Sequence, residues 1–403
     1  MNIIDELRQR GYIEQVMFED SLKELLEKEK ITFYIGFDPT ADSLHIGHLI
    51  QLMVISKLQK AGHRPIVLIG DGTAMIGDPS DRNDMRQMLS VEQLKANTDA
   101  VKKQVERFVS FEGENAAILL TNGEWLTKLN LLEYMRDVGV HFNVNKMLAA
   151  ECYKARLKDG LTFFEMTYMT LQAYDFMHLY EKYNCKLQVG GNDQWSNVIA
   201  GVGLNRKKYG VETYAIGTQL LANADGTKMG KTMGGALWLD KDKLSPYEFY
   251  QHFVNIEDAS VKNVLKQLTY LPLEAIEELM LAKYEEINEV KKIAAFEITK
   301  IVHGEEEAIK ARESSEAMFG EGVSLDGVPE IEGNIGDDLI DIAIKAGFGS
   351  SRGQIKTLIK QEGLSLNEEL VLDMNYTLKE EDFKDNIAII KKGKKIYYKI
   401  VKQ

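Results

Sequence analysis

The sequence predicts an α/β fold: a doubly wound parallel sheet first, then a helical region, then a small separate domain. Three observations carry this. Residues 31–62 read as strand, turn and helix in succession. Residues 64–71 form a nearly continuous apolar run, the pattern of a strand buried on both faces of a parallel sheet. A Gly- and acid-rich stretch at 321–336 then precedes a segment with a different charge balance.

The first strand shows alternation. Ile31, Phe33, Ile35 and Phe37 interleave with Thr32, Tyr34, Gly36 and Asp38. Asp38-Pro39 breaks the strand. Leu49, Ile50, Met53, Val54 and Leu58 then recur at helical spacing until Gly62 stops the helix. A helix start presents free N–H groups and a positive dipole end, which together suit a phosphate. His45, Gly47 and His48 stand at that start. Strand, helix and strand make a right-handed βαβ unit, whose ligands bind at the carboxyl ends of the strands. The chain has no GxGxxG at this turn, so an NAD-type site is not expected.

Composition excludes several classes. A chain of 403 residues with 44% hydrophobic and 28% charged residues is long enough for two or three domains with real cores. No apolar run is long enough to span a membrane, and the charged N-terminal stretch does not read as a signal peptide. Cys152 and Cys185 give neither a disulfide framework nor a metal quartet, so a reducing, cytoplasmic setting is expected. The net charge of −13 argues against broad polyanion binding, and any nucleic-acid contact must come from local basic patches.

Along the chain, residues 2–30 read as short helices. Residues 71–86 form a polar loop, in which Asp78 precedes Pro79 and is expected in extended backbone. A long amphipathic helix near 91–110 leads to a strand around Ala117–Leu120, and 121–160 holds short helices. The helix near 164–181 is apolar on nearly every face and should be buried all round. Tyr168, Gln172 and Asp175 nevertheless share one of its faces at i, i+4 and i+7. Buried polar groups need partners, so either internal groups satisfy these three or a polar ligand does. A strand–turn–helix at 186–195 brings Gly190 and Gly191, which let a backbone lie flat against a ligand. A loop then offers Lys228 and Lys231, flanked by glycines and Thr232. Residues 245–320 read as charged helices. From Lys345 to Gln403 there are 12 Lys and Arg against 8 Asp and Glu. Arg352, Lys356 and Lys360 form a stripe on one helix face, and Lys391, Lys392, Lys394 and Lys395 a basic turn, so contact with RNA phosphates is expected.

His45-Ile46-Gly47-His48 matches the HIGH signature of class I aminoacyl-tRNA synthetases. The run from Tyr34 to His48 resembles the bacterial tyrosyl-tRNA synthetases in particular. Lys228 to Thr232 resembles the KMSKS signature with its lysines retained, although Gly230 and Thr232 replace the two serines. The order Ser351-Arg352-Gly353, helix, Gly363 to Asn367 looks like an RNA-binding domain shared with a ribosomal small-subunit protein.

The resemblance covers nearly the whole chain and implies a domain plan. Residues 1–240 would form a Rossmann-like (HUP-type) catalytic domain with a dimer-interface insertion at about 121–160. Residues 241–320 would form an α-helical tRNA-contacting domain, 321–336 a linker, and 337–403 a small α+β RNA-binding domain. The implied activity is tyrosine–tRNA ligation by a homodimer, with L-tyrosine, ATP and tRNA(Tyr) as substrates.

The resemblance also implies residue roles. Tyr34 and Asp175 would hold the substrate phenol and Asp78 its ammonium, with Tyr168, Gln172, Gln188 and Gln194 lining the amino-acid site. Gly36, Asp38, Gly47, Gly191, Asp193 and Lys231 would meet ATP. His45 and His48 would stabilise the five-coordinate α-phosphate, and Thr40 the γ-phosphate side. Lys228, Lys231, Thr232, Arg82 and Arg86 would act on the departing pyrophosphate. Mg²⁺ would arrive with ATP, with no metal cage in the protein. Departures at Ile35 and Gln51 beside the nucleotide site should tune affinity only. The rivals are a tryptophanyl-tRNA synthetase, which shares the fold, and a non-catalytic RNA-binding protein built on it.

Overall fold

The computed structural model describes residues 2–80, 89–222, 229, 231–232, 235–282, 286–317, 328–393 and 396–402. Two compact units divide the chain, residues 1–222 and 223–403.

In the first unit, helices α1 (Ile3–Gln9) and α2 (Glu19–Lys28) flank strand β1 (Ile13–Met17). The core motif is β2 (Thr32–Phe37), α3 (Ile46–Lys60) and β3 (Arg64–Ile69). Then come α4 (Asp71–Ala74), α5 (Val91–Val105), β4 (Ile118–Thr121) and four short helices: α6 (Gly123–Leu126), α7 (Leu131–Asp137), α8 (Val144–Leu148) and α9 (Glu151–Asp159). The long α10 (Phe163–Tyr183), β5 (Cys185–Gly191), α11 (Trp195–Tyr209) and β6 (Tyr214–Thr218) complete it.

The sheet order is β1-β6-β5-β2-β3-β4. The five strands from β6 to β4 are parallel, and β1 is an antiparallel edge on β6. Residues 13–17 therefore leave the helical expectation for 2–30, because Ile13, Val16 and Met17 gain ladder partners at Thr218, Ile216 and Ala215. From β2 the chain runs outward through β3 and β4, then crosses over α10 to β5 on the other side of β2. The winding reverses between β2 and β5, the switch point at which doubly wound sheets bind ligands. The register sets Tyr34 directly beside Gln188, so both side chains face α10. Phe176, Leu179, Val198 and Val202 of α10 and α11 pack there with Tyr34, Ile66 and Leu68.

Helix α10 is buried through its middle but not at its start, where Phe163 is 65% exposed. A capping box fixes that start: Thr162 N and Oγ1 donate to Glu165 Oε2 at 3.1 and 2.9 Å. Glu165 Oε1 also accepts from Arg156 Nε at 2.8 Å, and both side chains are buried.

The second unit contains a two-residue hairpin, β7 (Lys231–Thr232) with β8 (Gly235–Ala236). Helices α12 (Pro246–Val254), α13 (Val261–Leu268), α14 (Leu273–Ala282), α15 (Ile287–His303) and α16 (Glu305–Ala317) follow. The last part pairs α17 (Leu339–Lys345) and α18 (Arg352–Lys360) with a sheet of β9 (Glu330–Glu332), β10 (Leu364–Leu366), β11 (Glu369–Leu370), β12 (Ile387–Lys392) and β13 (Ile396–Val401). Strand β9 runs parallel to β13, and Ile331 packs on the core around Leu339, Ile355 and Ile400. Residues 330–332 thus belong to this α+β body rather than to a linker over 321–336, whose first seven positions lie outside the described residues. Among the described residues no helix is long and apolar enough to cross a membrane.

Removing one partner of a buried ion pair strands the other charge. Glu165→Ala should therefore destabilise the first unit by about 3 kcal/mol, read from its urea unfolding midpoint.

Candidate active site

A cleft of about 190 Å³ opens at the carboxyl ends of β2 and β5. Its walls include Tyr34, Gly36, Asp38, Thr40, His48, Asp78, Tyr168, Gln172, Asp175, Gln188, Gly191, Asp193 and Gln194. Thirteen positions singled out from sequence thus converge on one cavity. Strand β2 contributes Tyr34, Gly36 and, just past its end, Asp38; α10 contributes Tyr168, Gln172 and Asp175 from one face.

At the inner end the carboxylate of Asp175 is 2% exposed. Asn122 Nδ2 donates to its Oδ2 at 2.9 Å and Trp125 Nε1 to its Oδ1 at 2.7 Å. Burial, reinforced by the negative charges of Asp38 and Asp71, outweighs these donors and pushes its pKa up to about 7. Beside it, the Tyr34 hydroxyl is buried without a hydrogen-bond partner among the described residues. Burial and the nearby Asp175 hold that phenol far above its ordinary pKa, so it stays protonated. Gln172 Oε1 and Gln188 Oε1 are likewise buried and unpartnered. The choice left open by the sequence divides: internal donors serve Asp175, while Gln172 keeps an acceptor unused. Three orphaned polar atoms in one cleft call for a polar ligand, since each buried unpaired group costs about 1–3 kcal/mol.

Midway, Tyr168 donates its hydroxyl to Asp38 Oδ2 at 2.8 Å. Asp78 is buried; its Oδ1 accepts from Ser80 N at 2.9 Å and its Oδ2 from Gln194 Nε2. These carboxylates suit a cationic group on the ligand.

The outer end is the start of α3. His45 caps the helix: its Nδ1 accepts from Gly47 N at 3.1 Å, and its own N donates to His48 Nδ1 at 3.2 Å. Both Nδ1 atoms accept, which leaves both protons on Nε2. Burial, then the neighbouring His45, lowers the His48 pKa to about 3, and burial lowers that of His45 too. Two neutral imidazoles therefore offer N–H donors beside the helix dipole. A Cβ on Gly47 would lie 2.8 Å from His45 Cε1, so this glycine makes room for the capping ring. His48 lines the cleft, while His45 and Gly47 are partly exposed beside it.

Other expected residues are placed apart. Arg82, Arg86 and Lys228 lie outside the described residues, as do Lys394 and Lys395. Lys231 and Thr232 form β7, and their side chains are outside the description too. In the last domain Lys356 and Lys360 are exposed on α18. Arg352 instead forms ion pairs with Asp338 and Asp341 of the preceding helix start. Lys392 Nζ donates to Phe348 O at 2.8 Å, and Lys391 Nζ lies 4.9 Å from the Tyr397 ring centroid. Over residues 337–403 the balance is 12 basic against 11 acidic residues, so the positive charge is local. Among the described residues no group of three or more His, Cys, Asp or Glu is arranged to hold a metal ion.

Asn122, Trp125 and Thr73 were not expected from the sequence. The available signal was position: Asn122 follows β4 directly and Thr73 lies just past β3, both at carboxyl ends of parallel strands.

Comparison with known proteins finds two family models along the chain. Residues 26–320 match the family model of tRNA synthetases class I (W and Y). Residues 321–400 match that of the tyrosine–tRNA ligase SYY-like C-terminal domain. The chain is 53% identical to a tyrosine–tRNA ligase of Clostridium perfringens, covering 99% of each. It is 52% identical to that of Caldanaerobacter subterraneus, over 100% of this chain and 99% of the relative. A C-terminally truncated mitochondrial tyrosyl-tRNA synthetase from Aspergillus nidulans superposes with a TM-score of 0.70 at 28% identity, covering 77% of this chain and 92% of that one.

The carboxyl group of Asp175 holds its proton more tightly in the folded chain than in the unfolded. Stability should therefore fall as pH rises from about 4 to about 7, through a penalty on the order of 4 kcal/mol that is complete above that window. Asp175→Asn should remove that part of the slope, measured by chemical unfolding across the same pH range.

Proposed function

The chain belongs to the class I tRNA synthetases, in the tyrosine–tRNA ligase branch, and on that premise we propose how its cleft works. The enzyme activates L-tyrosine with ATP to tyrosyl-adenylate and pyrophosphate, then transfers the tyrosyl group to the 3′-terminal adenosine of tRNA(Tyr). The observation that carries the assignment of substrate is the orphaned Tyr34 hydroxyl beside the buried Asp175. A phenol entering there donates to the carboxylate and accepts from Tyr34. Phenylalanine would leave the buried Tyr34 hydroxyl unpaired, at about 1–3 kcal/mol, and would bring no donor of its own to Asp175.

The rest of the amino acid lies along α10. Its ammonium meets Asp78, with Tyr168, Gln172 and Gln194 around it, and Gln188 flanks the ring. The carboxylate then reaches the helix start of α3, where it attacks the α-phosphate. That oxygen is already a competent nucleophile, so the protein supplies position and charge stabilisation rather than a covalent group. The Nε2–H groups of His45 and His48 and the helix dipole face charge growing on the phosphate, and Thr40 serves its far side. Gly36, Asp38, Gly191 and Asp193 hold the nucleoside. Arg82, Arg86, Lys228, Lys231 and Thr232 act on pyrophosphate. ATP carries Mg²⁺ on its own phosphates.

The carboxyl-terminal body contacts tRNA through Lys356, Lys360, Lys391, Lys392, Lys394 and Lys395. Arg352 is the weaker candidate, since two carboxylates already engage it. Within the proposed interface segment, Leu131, Leu132 and Val140 are each more than 60% exposed, as is Phe163 just beyond it, which supports a homodimer formed there. The setting is cytoplasmic.

ATP–pyrophosphate exchange with tyrosine, tryptophan and phenylalanine in turn tests the reading; exchange driven best by tryptophan would sink it. His48→Ala should slow maximal tyrosine-dependent exchange about 10²–10³-fold, the usual effect of losing one donor to developing charge. Its tyrosine Kd should stay within about twofold, by equilibrium dialysis. Leu132→Asp should convert the dimer to monomer in sedimentation at micromolar concentration; an unchanged dimer would place the interface elsewhere.

A further inference from the structure

Polar side chains lining the cleft form one continuous hydrogen-bonded chain. Asn122 Nδ2 donates one hydrogen to Asp175 Oδ2 at 2.9 Å and the other to Thr73 Oγ1 at 3.0 Å. Its Oδ1 accepts from Gly72 N at 2.8 Å, which fixes which way the amide points. The Thr73 hydroxyl has Asp38 Oδ1 at 2.9 Å and Gly70 O at 3.1 Å, and the carboxylate is the stronger acceptor. Asp38 Oδ2 in turn accepts from Tyr168 at 2.8 Å. Tyr168 and Asp175 both stand on α10, seven residues apart, so the helix closes the ring. Thr73, Asn122, Tyr168 and Asp175 are all at most 5% exposed.

A second observation comes from the backbone. A Cβ on Gly70 would lie 2.0 Å from Asp38 Oδ1 and 2.5 Å from Thr73 Oγ1. The space that a side chain would fill there is the space in which Asp38 and Thr73 meet.

We propose that Thr73 and Asn122 are positioning residues that lock the phenol-selecting carboxylate of Asp175 to the Asp38–Tyr168 pair at the ammonium and nucleotide end. This rests on the assignment of the phenol to Tyr34 and Asp175. In this arrangement neither end sets its geometry alone. Asp175 keeps its acceptor lone pairs aimed at the phenol because Asn122 is held, and Asn122 is held from its far side by Thr73. Such chains polarise one another and lose more than one pair's worth when a member is removed.

The tests use tyrosine- and phenylalanine-dependent pyrophosphate exchange by the full-length enzyme. Thr73→Val removes the hydroxyl without changing shape. It should raise the tyrosine KM about tenfold and narrow the tyrosine/phenylalanine ratio of kcat/KM about tenfold. Thr73→Ser, which restores the hydroxyl, should bring both back to within about twofold of wild type. Tyr168→Phe is the second variant. Both amino acids carry the same ammonium, so a change confined to that end lowers both activities equally and leaves the ratio alone. Coupling through the ring should instead narrow the ratio about threefold. A tyrosine-preferring wild type whose ratio is untouched by both Thr73→Val and Tyr168→Phe overturns the proposal alone. A wild type with no preference for tyrosine overturns the reading of the phenol site and the proposal with it.

Discussion

A carboxylate buried between a helix and a sheet constrains everything near it. Asp175 is almost fully enclosed, and its surroundings already hold other negative charges from Asp38 and Asp71. Such a group persists only if donors converge on it from fixed directions. Those donors come from the far side of the sheet's winding, at Asn122 and Trp125 beyond β4. The position of β4, the turn after it and the packing of α10 are therefore tied to one side chain. Trp125 is held in turn by stacking on His178 of α10, with ring centroids 4.4 Å apart. The helix that carries the carboxylate thus also supports one of its donors.

The opposite end of the cleft solves a different electrostatic problem. Asp38, Asp78, Asp175 and Asp193 all line the cleft, a poor environment for a polyphosphate by charge alone. Protonated histidines would be the obvious answer, yet burial, joined at His48 by the neighbouring His45, keeps both neutral. Their capping bonds turn that into an advantage. With each Nδ1 committed to the backbone, each Nε2–H is fixed as a donor at any physiological pH. The attraction is then dipolar and local, strongest where charge develops and weak elsewhere, which favours the transition state over the bound ground state.

Periodic features were legible in the sequence and solitary ones were not. The face of α10 bearing Tyr168, Gln172 and Asp175 follows from helical spacing, and Tyr34 from strand alternation. Thr73 sits in a four-residue helix and Asn122 just before another, too short to show a period. Their function depends on partners about fifty residues away, a distance no local pattern reports. The same holds for β1, whose ladder partner β6 lies some 200 residues on, and for β9. Glu330–Glu332 has the composition of a linker, and only its parallel pairing with β13 makes it a strand. The neighbours of Arg352 are hidden for a related reason: it shares the basic stripe on α18, but Asp338 and Asp341 come from the previous helix and pair with it.

Strand β2 and the turn after it reach both ends of the cleft, and the reason is geometric. Joining a carboxylate to an α-phosphate requires the two substrates to meet within bonding distance, so their subsites must share a boundary. In a doubly wound sheet that boundary can only lie at the switch point, where β2 and β5 diverge and no crossover helix fills the gap. Tyr34 lies four residues before Asp38, and the helix cap His45 follows seven residues later. A strand rises about 3.3 Å per residue, so the first spacing carries the chain roughly 13 Å, enough to span an extended tyrosine from hydroxyl to carboxylate. One stretch of backbone therefore measures the amino acid against the phosphate it must reach. Lengthening or shortening it would separate the phenol site from the helix dipole even with every contacting side chain intact.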